Sequence, residues 1–396
     1  MKNTLFMRGG FVVIAFTITA LAAQASPSVE ERLAALEVAF DAMARENAEL
    51  RKQLGWIGKN AGIVPTPGGK ETKLSVGGFL QGQAEFGHAS DPRWNGIRDR
   101  LFFRRARIYV AGSFAEDFDF KAELDLQGNT LGSGTGQLAR ANEIYINWHK
   151  YSFANLRFGQ LKPAFGVEAL ASDTKLLTIE RSLSSDRLAD GRNLAFSVAG
   201  DLFEKKVGYL AVVANGNGAN VSANDNSKFQ QSARIAFTPF ATATDKLVVG
   251  VDGLWAEDAG VSKNDFGFTG NLFTGKREMT GLDAQWTHGR FDLSGERLNG
   301  TFKPRNAIPI ARVKAAGWHI TAAFYIVPNR LQAVYRHEEF DPNSELGGNA
   351  IKTDLFGLNY LIKGDDIKLG VNYLNGSIPG STTDNDRLVT RIQIIF

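Results

Sequence analysis

The densest group of residues that could bind a ligand in this chain is a run of three arginines within four positions. Arg104, Arg105 and Arg107 stand in the segment FRRAR, which covers residues 103–107. A guanidinium is planar, permanently charged and able to form two parallel hydrogen bonds with an oxyanion. The run therefore predicts an anion-binding surface. A second interpretation stays open, in which these arginines pair with carboxylates on neighbouring strands and shape the local field.

Alternation along the same segment predicts a β-strand and assigns these side chains to its faces. Arg105 and Arg107 share a polar face with Tyr109, opposite an apolar face. Arg104 breaks this alternation, so we expect a β-bulge at that position or a location near the rim of the sheet. Lys121 lies on the polar face of a later strand, and we add it to the candidate anion-binding residues.

The connection Leu161–Gly191 carries a second concentration of charge, in which cations and carboxylates are interspersed. It also holds three apolar residues that a purely solvated loop would not need: Leu176, Leu177 and Ile179. We expect this loop to fold into the space that the predicted strands enclose and to set the narrowest width of that space. The alternative is a loop that lies over the opening of that space. The predicted anion-binding or constriction residues are thus Arg104, Arg105, Arg107, Lys121, Lys175, Arg181 and Arg187.

Catalytic and metal-binding patterns are weak. The five histidines are scattered and include no H-x-x-x-H pair, and no G-x-S-x-G elbow is present. The segment Gly132–Gly136 is rich in glycine but lacks the spacing and the Lys-Ser/Thr ending of a phosphate-binding loop. The absence of cysteine excludes disulfides and thiolate metal sites. We therefore expect no catalytic site, no metal or other cofactor, and no nucleic-acid partner.

The elements that must position the charged residues are short alternating strands. From Lys73 to Phe396, seven short and eight long connections join 16 such strands. Short turns at one end, long loops at the other and an even strand number are typical of bacterial outer-membrane barrels. The sheet must close, because lipid offers no hydrogen bonds to a free edge. The sequence thus predicts an all-β protein, a 16-stranded antiparallel transmembrane β-barrel; its mean hydropathy of −0.17 is too polar for a helical membrane protein.

Two segments precede the predicted barrel, which spans residues 73–396. Residues 1–25 have the basic start, apolar stretch and A-x-A cleavage signal of a secretory signal peptide. Residues 26–57 carry apolar side chains at alternating spacings of three and four, interrupted at Asn47, which predicts a short periplasmic coiled-coil helix. A single amphipathic helix packed on the barrel rim is the alternative. Residues 58–72 are a predicted linker.

Several segments resemble the phosphate-selective porin O/P family of outer-membrane proteins. They are the runs Phe103–Arg107, Phe118–Leu126, Arg157–Gly166 and Ile179–Arg181. The resemblance extends across the predicted barrel and implies a trimer of 16-stranded barrels, each with its own pore narrowed by the third outer loop. It also implies that Arg104 and Arg105 sit at the constriction, with a loop lysine near Lys175.

The chain departs from the phosphate-specific members of that family at several positions. Phe79 follows the pair Gly77-Gly78, where those members have an arginine. The fifth outer loop, Glu257–Lys276, offers only two lysines, where they have a run of spaced arginines. These differences argue against high phosphate specificity and leave the family resemblance intact.

Together these observations predict a porin in the outer membrane of a Gram-negative bacterium that catalyses no reaction. It would form a homotrimer in contact with outer-membrane lipids. Small anions, with phosphate or polyphosphate as candidates, and other hydrophilic solutes would diffuse through it. One alternative is a weakly selective general porin whose arginines only oppose acidic residues. Two others are a barrel enzyme, which would need a lipid-facing Ser/His pair, and a structural tether in which Val29–Ile57 contacts peptidoglycan.

Overall fold

The alternating segments form one closed antiparallel sheet. The computed structural model describes residues 64–65, 71–127, 139–306, 312–377 and 386–396, so the predicted signal peptide and coiled coil lie outside the described residues. In chain order the barrel strands are β1 (Glu71–Gly87), β2 (Arg100–Phe114), β3 (Phe118–Asp125), β4 (Arg140–Tyr151), β5 (Ala154–Leu161), β6 (Asn193–Leu202), β7 (Val207–Ala214), β8 (Gln230–Ala241), β9 (Asp245–Ser262), β10 (Leu272–His288), β11 (Phe291–Pro304), β12 (Val313–Val327), β13 (Leu331–Asp341), β14 (Ile351–Lys363), β15 (Ile367–Ser377) and β16 (Asp386–Ile395).

Each strand pairs with its neighbours in the chain, and β16 pairs with β1 to close the barrel. The fold class predicted from the sequence is therefore confirmed, including the alternation of tight turns with longer connections. One local difference lies in the predicted linker, where Val64 and Pro65 form a short strand paired with the start of β1. Among the described residues, no helix is long and apolar enough to cross a membrane.

The two faces of the sheet differ as the alternation predicts. In β1, Phe86 is 43% exposed on the outer surface, whereas the adjacent Glu85 is fully buried on the inner side. In β16, Ile392 is exposed and Arg391 is buried. Apolar side chains thus face lipid, and polar side chains face the interior of the barrel.

The seam between the first and last strands depends on Phe396 and Gly78. Each donates a backbone N–H to the other's carbonyl oxygen, at 3.0 Å from Phe396 and 2.9 Å from Gly78. A Cβ atom at Gly78 would lie 2.2 Å from the carbonyl oxygen of Arg107, so this close approach requires glycine. The last residue of the chain thereby completes the ladder.

The connection between β5 and β6, residues 162–192, is the third outer loop and is called L3 below. It contains two short helices, α1 (Val167–Leu170) and α2 (Leu183–Leu188). Ser182 caps α2 by accepting a hydrogen bond from the backbone N–H of Ser185. Leu183 and Leu188 of α2 are almost completely buried in an apolar cluster with side chains of the barrel wall. Burying a leucine side chain contributes about 1.5–3 kcal/mol.

The exposed ring of Phe396 should promote barrel assembly. It is 60% exposed on the lipid-facing side of the seam, near Ile394. Phe396→Ser keeps the backbone hydrogen bonds but removes the ring from the apolar face, and we expect less folded protein in the outer membrane. Phe396→Tyr, which keeps an aromatic ring, is the control. The measurement is the heat-modifiable fraction on semi-native gels of membrane fractions, and equal folded fractions for wild type and Phe396→Ser would refute the prediction.

Candidate functional site: the constriction at the third outer loop

L3 crosses the interior of the barrel and bonds to the opposite wall. The backbone N–H of Ile179 donates to the Asn372 side chain in β15 at 2.7 Å. The Asn359 amide in β14 donates to the carbonyl oxygen of Leu177 at 2.7 Å. Ile179 is also buried in an apolar cluster with wall residues of β14, β15 and β16. The prediction that this loop folds into the barrel is confirmed, and the alternative of a loop over the mouth is excluded.

Arg104 reaches the interior through a β-bulge, which is the first of the two explanations that the break in alternation left open. The pairing of β1 with β2 shifts register between Gln81 and Gly82, which lie opposite Arg105 and Phe103, and Arg104 is the extra residue at this shift. The Arg104 guanidinium forms two hydrogen bonds with the Glu180 carboxylate of L3, at 2.9 and 3.2 Å. Arg391 of β16 pairs with the same carboxylate from another side. Glu180 is thus held between two arginines of the wall.

Arg105 and Arg107 hold a second carboxylate of L3. Asp173 lies 3.2 Å from Nη2 of Arg105 and 2.6 Å from Nη1 of Arg107, and it also pairs with Arg181 of the loop itself. Arg107 pairs in addition with Asp125 of β3 at 2.8 Å. The three wall arginines therefore contact two carboxylates of L3, and Arg107 also contacts two carboxylates of β3.

These ion pairs are buried. Arg104, Arg105 and Arg107 are 4%, 1% and 3% exposed. Burial disfavours the charged form of Asp173, but Arg105, Arg107 and Arg181 keep the pKa of its carboxyl well below its ordinary value. Burial also raises the pKa of the Glu180 carboxyl, but its arginine neighbours outweigh that effect and lower the pKa. Both carboxylates are ionised at neutral pH and neutralise the arginines that hold them.

The geometry makes Arg105 and Arg107 anchors of L3. The second interpretation of the arginine run named carboxylates on neighbouring strands, and only the pairs of Arg107 with Glu123 and Asp125 correspond to it. The sequence placed both arginines on the lumenal face correctly, but it did not indicate that loop carboxylates would occupy their donor groups. Asp173 and Glu180 contact the guanidiniums at distances that a bound anion would otherwise occupy. Direct contact of Arg105 with a passing solute would require L3 to move, whereas Arg107 also lines the cavity described below.

Lys175 and Arg187 do not join the cluster of Arg104, Arg105 and Arg107. Lys175 is largely exposed and pairs at 3.0 Å with Asp365, in the tight turn between β14 and β15. None of its described contacts involves Arg105 or Arg107, which differs from the expected approach of a loop lysine. Arg187 pairs with Asp186 and Asp265 at an outer cavity of about 460 Å³. The path of L3 points both side chains away from the anchors.

An open cavity lies beside L3, between the loop and the wall formed by β1 to β7. Its volume is about 300 Å³. Five cationic side chains line it: Arg107, Lys121, Arg157, Lys162 and Arg192. Three carboxylates face them: Glu123, Glu143 and Asp173. The lining therefore has an excess of two positive charges when all eight groups are ionised. Lys121, predicted from the alternation of its strand, belongs to this cavity and pairs with Glu123 and Glu143 at 2.7 and 3.1 Å.

Arg157 is the cation of this cavity that carries the least compensated charge. Its guanidinium carbon lies 4.1 Å above the ring of Tyr145, and its Nε atom is buried without a hydrogen-bond partner. Within the described part of the chain, no carboxylate lies at ion-pair distance from Arg157. Arg192, by contrast, shares Glu143 with Lys121, at 3.0 Å. A stacked, half-buried guanidinium can still present donor groups to a solute.

Lys162 begins L3 and faces the same cavity. Its ammonium group donates to the carbonyl oxygens of Ala169, Leu170 and Ala171, which end the first helix of the loop. Burial and the nearby cations Arg181 and Arg192 lower the pKa of Lys162 to about 7. We did not select Arg157, Lys162 or Arg192 from the sequence, although the first two lie in the segment Arg157–Gly166 that carried the family resemblance.

Comparisons with known proteins agree with this architecture. The family model described as phosphate-selective porin O and P matches residues 80–396. Porin O of Pseudomonas aeruginosa is 24% identical over 411 aligned positions, which cover 84% of this chain and 92% of that protein. The outer membrane channel DcaP of Acinetobacter baumannii has a TM-score of 0.56 at 14% identity, with 82% of this chain and 97% of that chain covered. The anion-selective porin from Comamonas acidovorans has a TM-score of 0.54 at 11% identity, with 82% and 100% covered.

The likeness to the two solved structures shows a shared barrel fold. The family match is more specific, because it runs from the middle of β1 to the last residue and covers most of the chain. It also includes the whole of L3 and every residue that lines the cavity except Phe79. The chain therefore belongs to the phosphate-selective porin O and P family, and it is a porin of the outer membrane of a Gram-negative bacterium.

Proposed function

We propose that each barrel allows passive diffusion of small hydrophilic anions, and that the cavity beside L3 selects for them. The observation that carries this proposal is the excess of cationic side chains over carboxylates around that cavity. The family description and the anion-selective porin from Comamonas acidovorans support the same preference. The arginine cluster of β2 acts indirectly, because it holds L3 in the position that forms one wall of the cavity.

A modest charge excess is enough to favour anions. A unit charge about 4 Å from an anion contributes about 1 kcal/mol in bulk water and about 4 kcal/mol at an effective dielectric constant of 20. A narrow aqueous cavity lies between these limits, and the hydration that the anion loses must be subtracted. The expected result is a several-fold preference for anions over cations, and it should weaken as salt concentration rises.

Guanidinium groups point to oxyanions as the preferred class of solute. Arg157 and Arg192 line the cavity together, and each offers the planar donor arrangement that matches phosphate or carboxylate. Strong specificity for phosphate is not expected, because Glu123 and Glu143 line the same cavity and the spaced arginines of the phosphate-specific members are missing. Phosphate and polyphosphate are thus candidate solutes among several small oxyanions.

The competing interpretations predict different arrangements of charged and reactive groups. A weakly selective general porin would have opposing charges that balance across the bore, in contrast to the excess around this cavity. A barrel enzyme would need a reactive group beside a bound substrate, and the known members of the family are channels. The proposal of a tether concerns Val29–Ile57, which lies outside the described residues.

We also propose that the porin assembles as a homotrimer through the side of the barrel formed by β3 to β7. Strands β3, β5 and β7 have only eight residues each, whereas β10 has 17, so the wall is low on this side. The outer surface there carries an apolar depression of about 660 Å³ lined by residues that include Phe120, Ile144 and Phe158. A low wall leaves room for neighbouring barrels, and an apolar depression can receive their side chains.

The cavity cations can be tested by reversal potentials. Arg157→Gln combined with Arg192→Gln removes two positive charges from the lining, so anion preference should fall several-fold toward no preference. Planar-bilayer recordings of the purified protein under salt gradients of chloride and phosphate provide the measurement. Arg290→Gln is the control, because Arg290 is exposed in a tight turn. The double lysine variant should keep charge selectivity and lose oxyanion discrimination.

An unchanged permeability ratio in the double glutamine variant would refute the proposed role of the cavity and favour a weakly selective general porin. An equal change in the permeability ratio of Arg290→Gln would also refute that role, because removal of any positive charge would then have the same effect.

The trimer interface can be tested with two matched alanines on the lipid-facing surface. Ala122 lies in the apolar depression on the low side, and Ala322 of β12 lines a second apolar depression, of about 610 Å³, on a long-stranded part of the wall. Ala122→Trp should lower the mass measured by light scattering in detergent, after subtraction of the micelle, from three chains toward one. Ala322→Trp should remain a trimer. A wild-type monomer, or an Ala122→Trp variant that stays trimeric, would contradict the proposed interface.

A further inference from the structure

We propose that Glu168, Glu296 and His319 bind one divalent transition-metal ion, with Zn²⁺ as the best match, and that this ion fastens the start of L3 to the barrel wall. The site lies apart from the cationic cavity, and the proposal is independent of which solutes the porin passes.

The three side chains come from three elements that meet inside the barrel. Glu168 belongs to α1 of L3, whereas Glu296 of β11 and His319 of β12 are directly opposite each other in the sheet. One ligand atom from each side chain lies within 4.8 Å of the other two. Bonds of about 2.0–2.1 Å in a tetrahedral zinc site place neighbouring ligand atoms about 3.3 Å apart. Side-chain shifts of about 1 Å would therefore complete the geometry, with water as a fourth ligand.

His319 is the observation that distinguishes this site from an ordinary group of acidic residues. Its ring is 3% exposed, and its Nδ1 atom is buried without a hydrogen-bond partner. The same atom lies 4.0 Å from Oε2 of Glu168. An unsatisfied buried polar atom costs about 1–3 kcal/mol, and a metal ion bound to the imidazole nitrogen would remove that cost.

The charge balance also favours a cation at this position. Among the described residues, Glu296 has no cation at ion-pair distance. The Arg336 guanidinium lies 3.4 Å from Glu168 and 3.1 Å from Glu338, so Glu168 shares this cation with Glu338. Two carboxylates facing each other in a buried site repel unless a proton or a cation lies between them. A divalent ion would compensate Glu296 and would add to the partial compensation that Arg336 gives Glu168.

Hydrogen bonds already hold the two carboxylates in place. Glu168 accepts from the backbone N–H and the hydroxyl of Ser182, at 2.8 and 2.6 Å. Glu296 accepts from the backbone N–H of Val167 and from the hydroxyl of Ser185, the latter at 3.3 Å. Such outer partners orient metal ligands and leave further lone pairs free for an ion. All of these donors belong to L3, so metal binding and loop position would be coupled.

The mixed donor set indicates the class of ion, and a cavity provides the route. One imidazole nitrogen with two carboxylates suits Zn²⁺ or a related transition metal, whereas Ca²⁺ and Mg²⁺ prefer oxygen ligands throughout.

Glu168 and His319 line a cavity of about 290 Å³ that also includes Trp286 and Asp292, near the tight turn between β10 and β11. A hydrated ion could enter from that end of the barrel.

The test is a Zn²⁺ titration of the full mature porin, purified in detergent without a polyhistidine tag and stripped with EDTA. We expect one Zn²⁺ per chain by elemental analysis after gel filtration, and calorimetry should show a dissociation constant at least tenfold weaker in His319→Gln. Glu168→Gln, a substitution in the loop rather than in the wall, is the second variant. His337→Gln is the matched control, because His337 also pairs with a carboxylate, Asp354 at 2.8 Å, but is partly exposed.

Wild-type protein that binds no more Zn²⁺ than folded His319→Gln or Glu168→Gln would overturn the proposal. Equal losses in His337→Gln would do so as well, because they would show binding to surface groups. Heat-modifiable mobility on gels verifies that each variant is folded. The reversal potential does not enter this test, so its outcome is separate from that of the proposed anion selectivity.

Discussion

The structure depends on two carboxylates of one loop being held inside a barrel by arginines of its wall. Glu180 lies between Arg104 and Arg391, and Asp173 lies between Arg105 and Arg107. Removing one partner of a buried ion pair costs about 3–5 kcal/mol, because the remaining charge is left without compensation. L3 therefore has one favoured position, and the bore of the pore follows from it. Apolar contacts of Leu183 and Leu188 fix the far end of the same loop.

The ion pairs between L3 and the wall divide the cations of the lumen into two groups with different roles. Arg104 and Arg105 of β2 are paired with loop carboxylates and determine where the loop lies, and Arg107 belongs to both groups because it also lines the cavity. The cations around the cavity are only partly neutralised, since Lys121 and Arg192 share Glu143 and Arg157 stacks on Tyr145. We propose that a solute passing L3 meets the second group, so that selectivity and constriction would be properties of largely different residues. Both would depend on the anchored loop.

Local alternation was sufficient to predict the barrel, its faces and the bulge at Arg104, because these features are encoded by neighbouring residues along each strand. The partners of the charged side chains were not predictable in the same way. They are set by the path of L3 through the lumen, which brings Asp173 to Arg105 and turns Lys175 toward Asp365. The group of Glu168, Glu296 and His319 had no signal in the sequence, because its members are far apart in the chain and meet only when the loop touches the wall.

The most direct test of this account is the single-channel conductance of a variant with both Arg105→Gln and Arg107→Gln, recorded together with its permeability ratio. The account predicts that conductance rises, because Asp173 loses two of its partners and L3 loosens. It also predicts that much of the anion preference persists, because the permanently charged Arg157 and Arg192 remain in the cavity lining. Unchanged conductance together with complete loss of anion preference would contradict the account and would show that the arginines of β2 are themselves the filter.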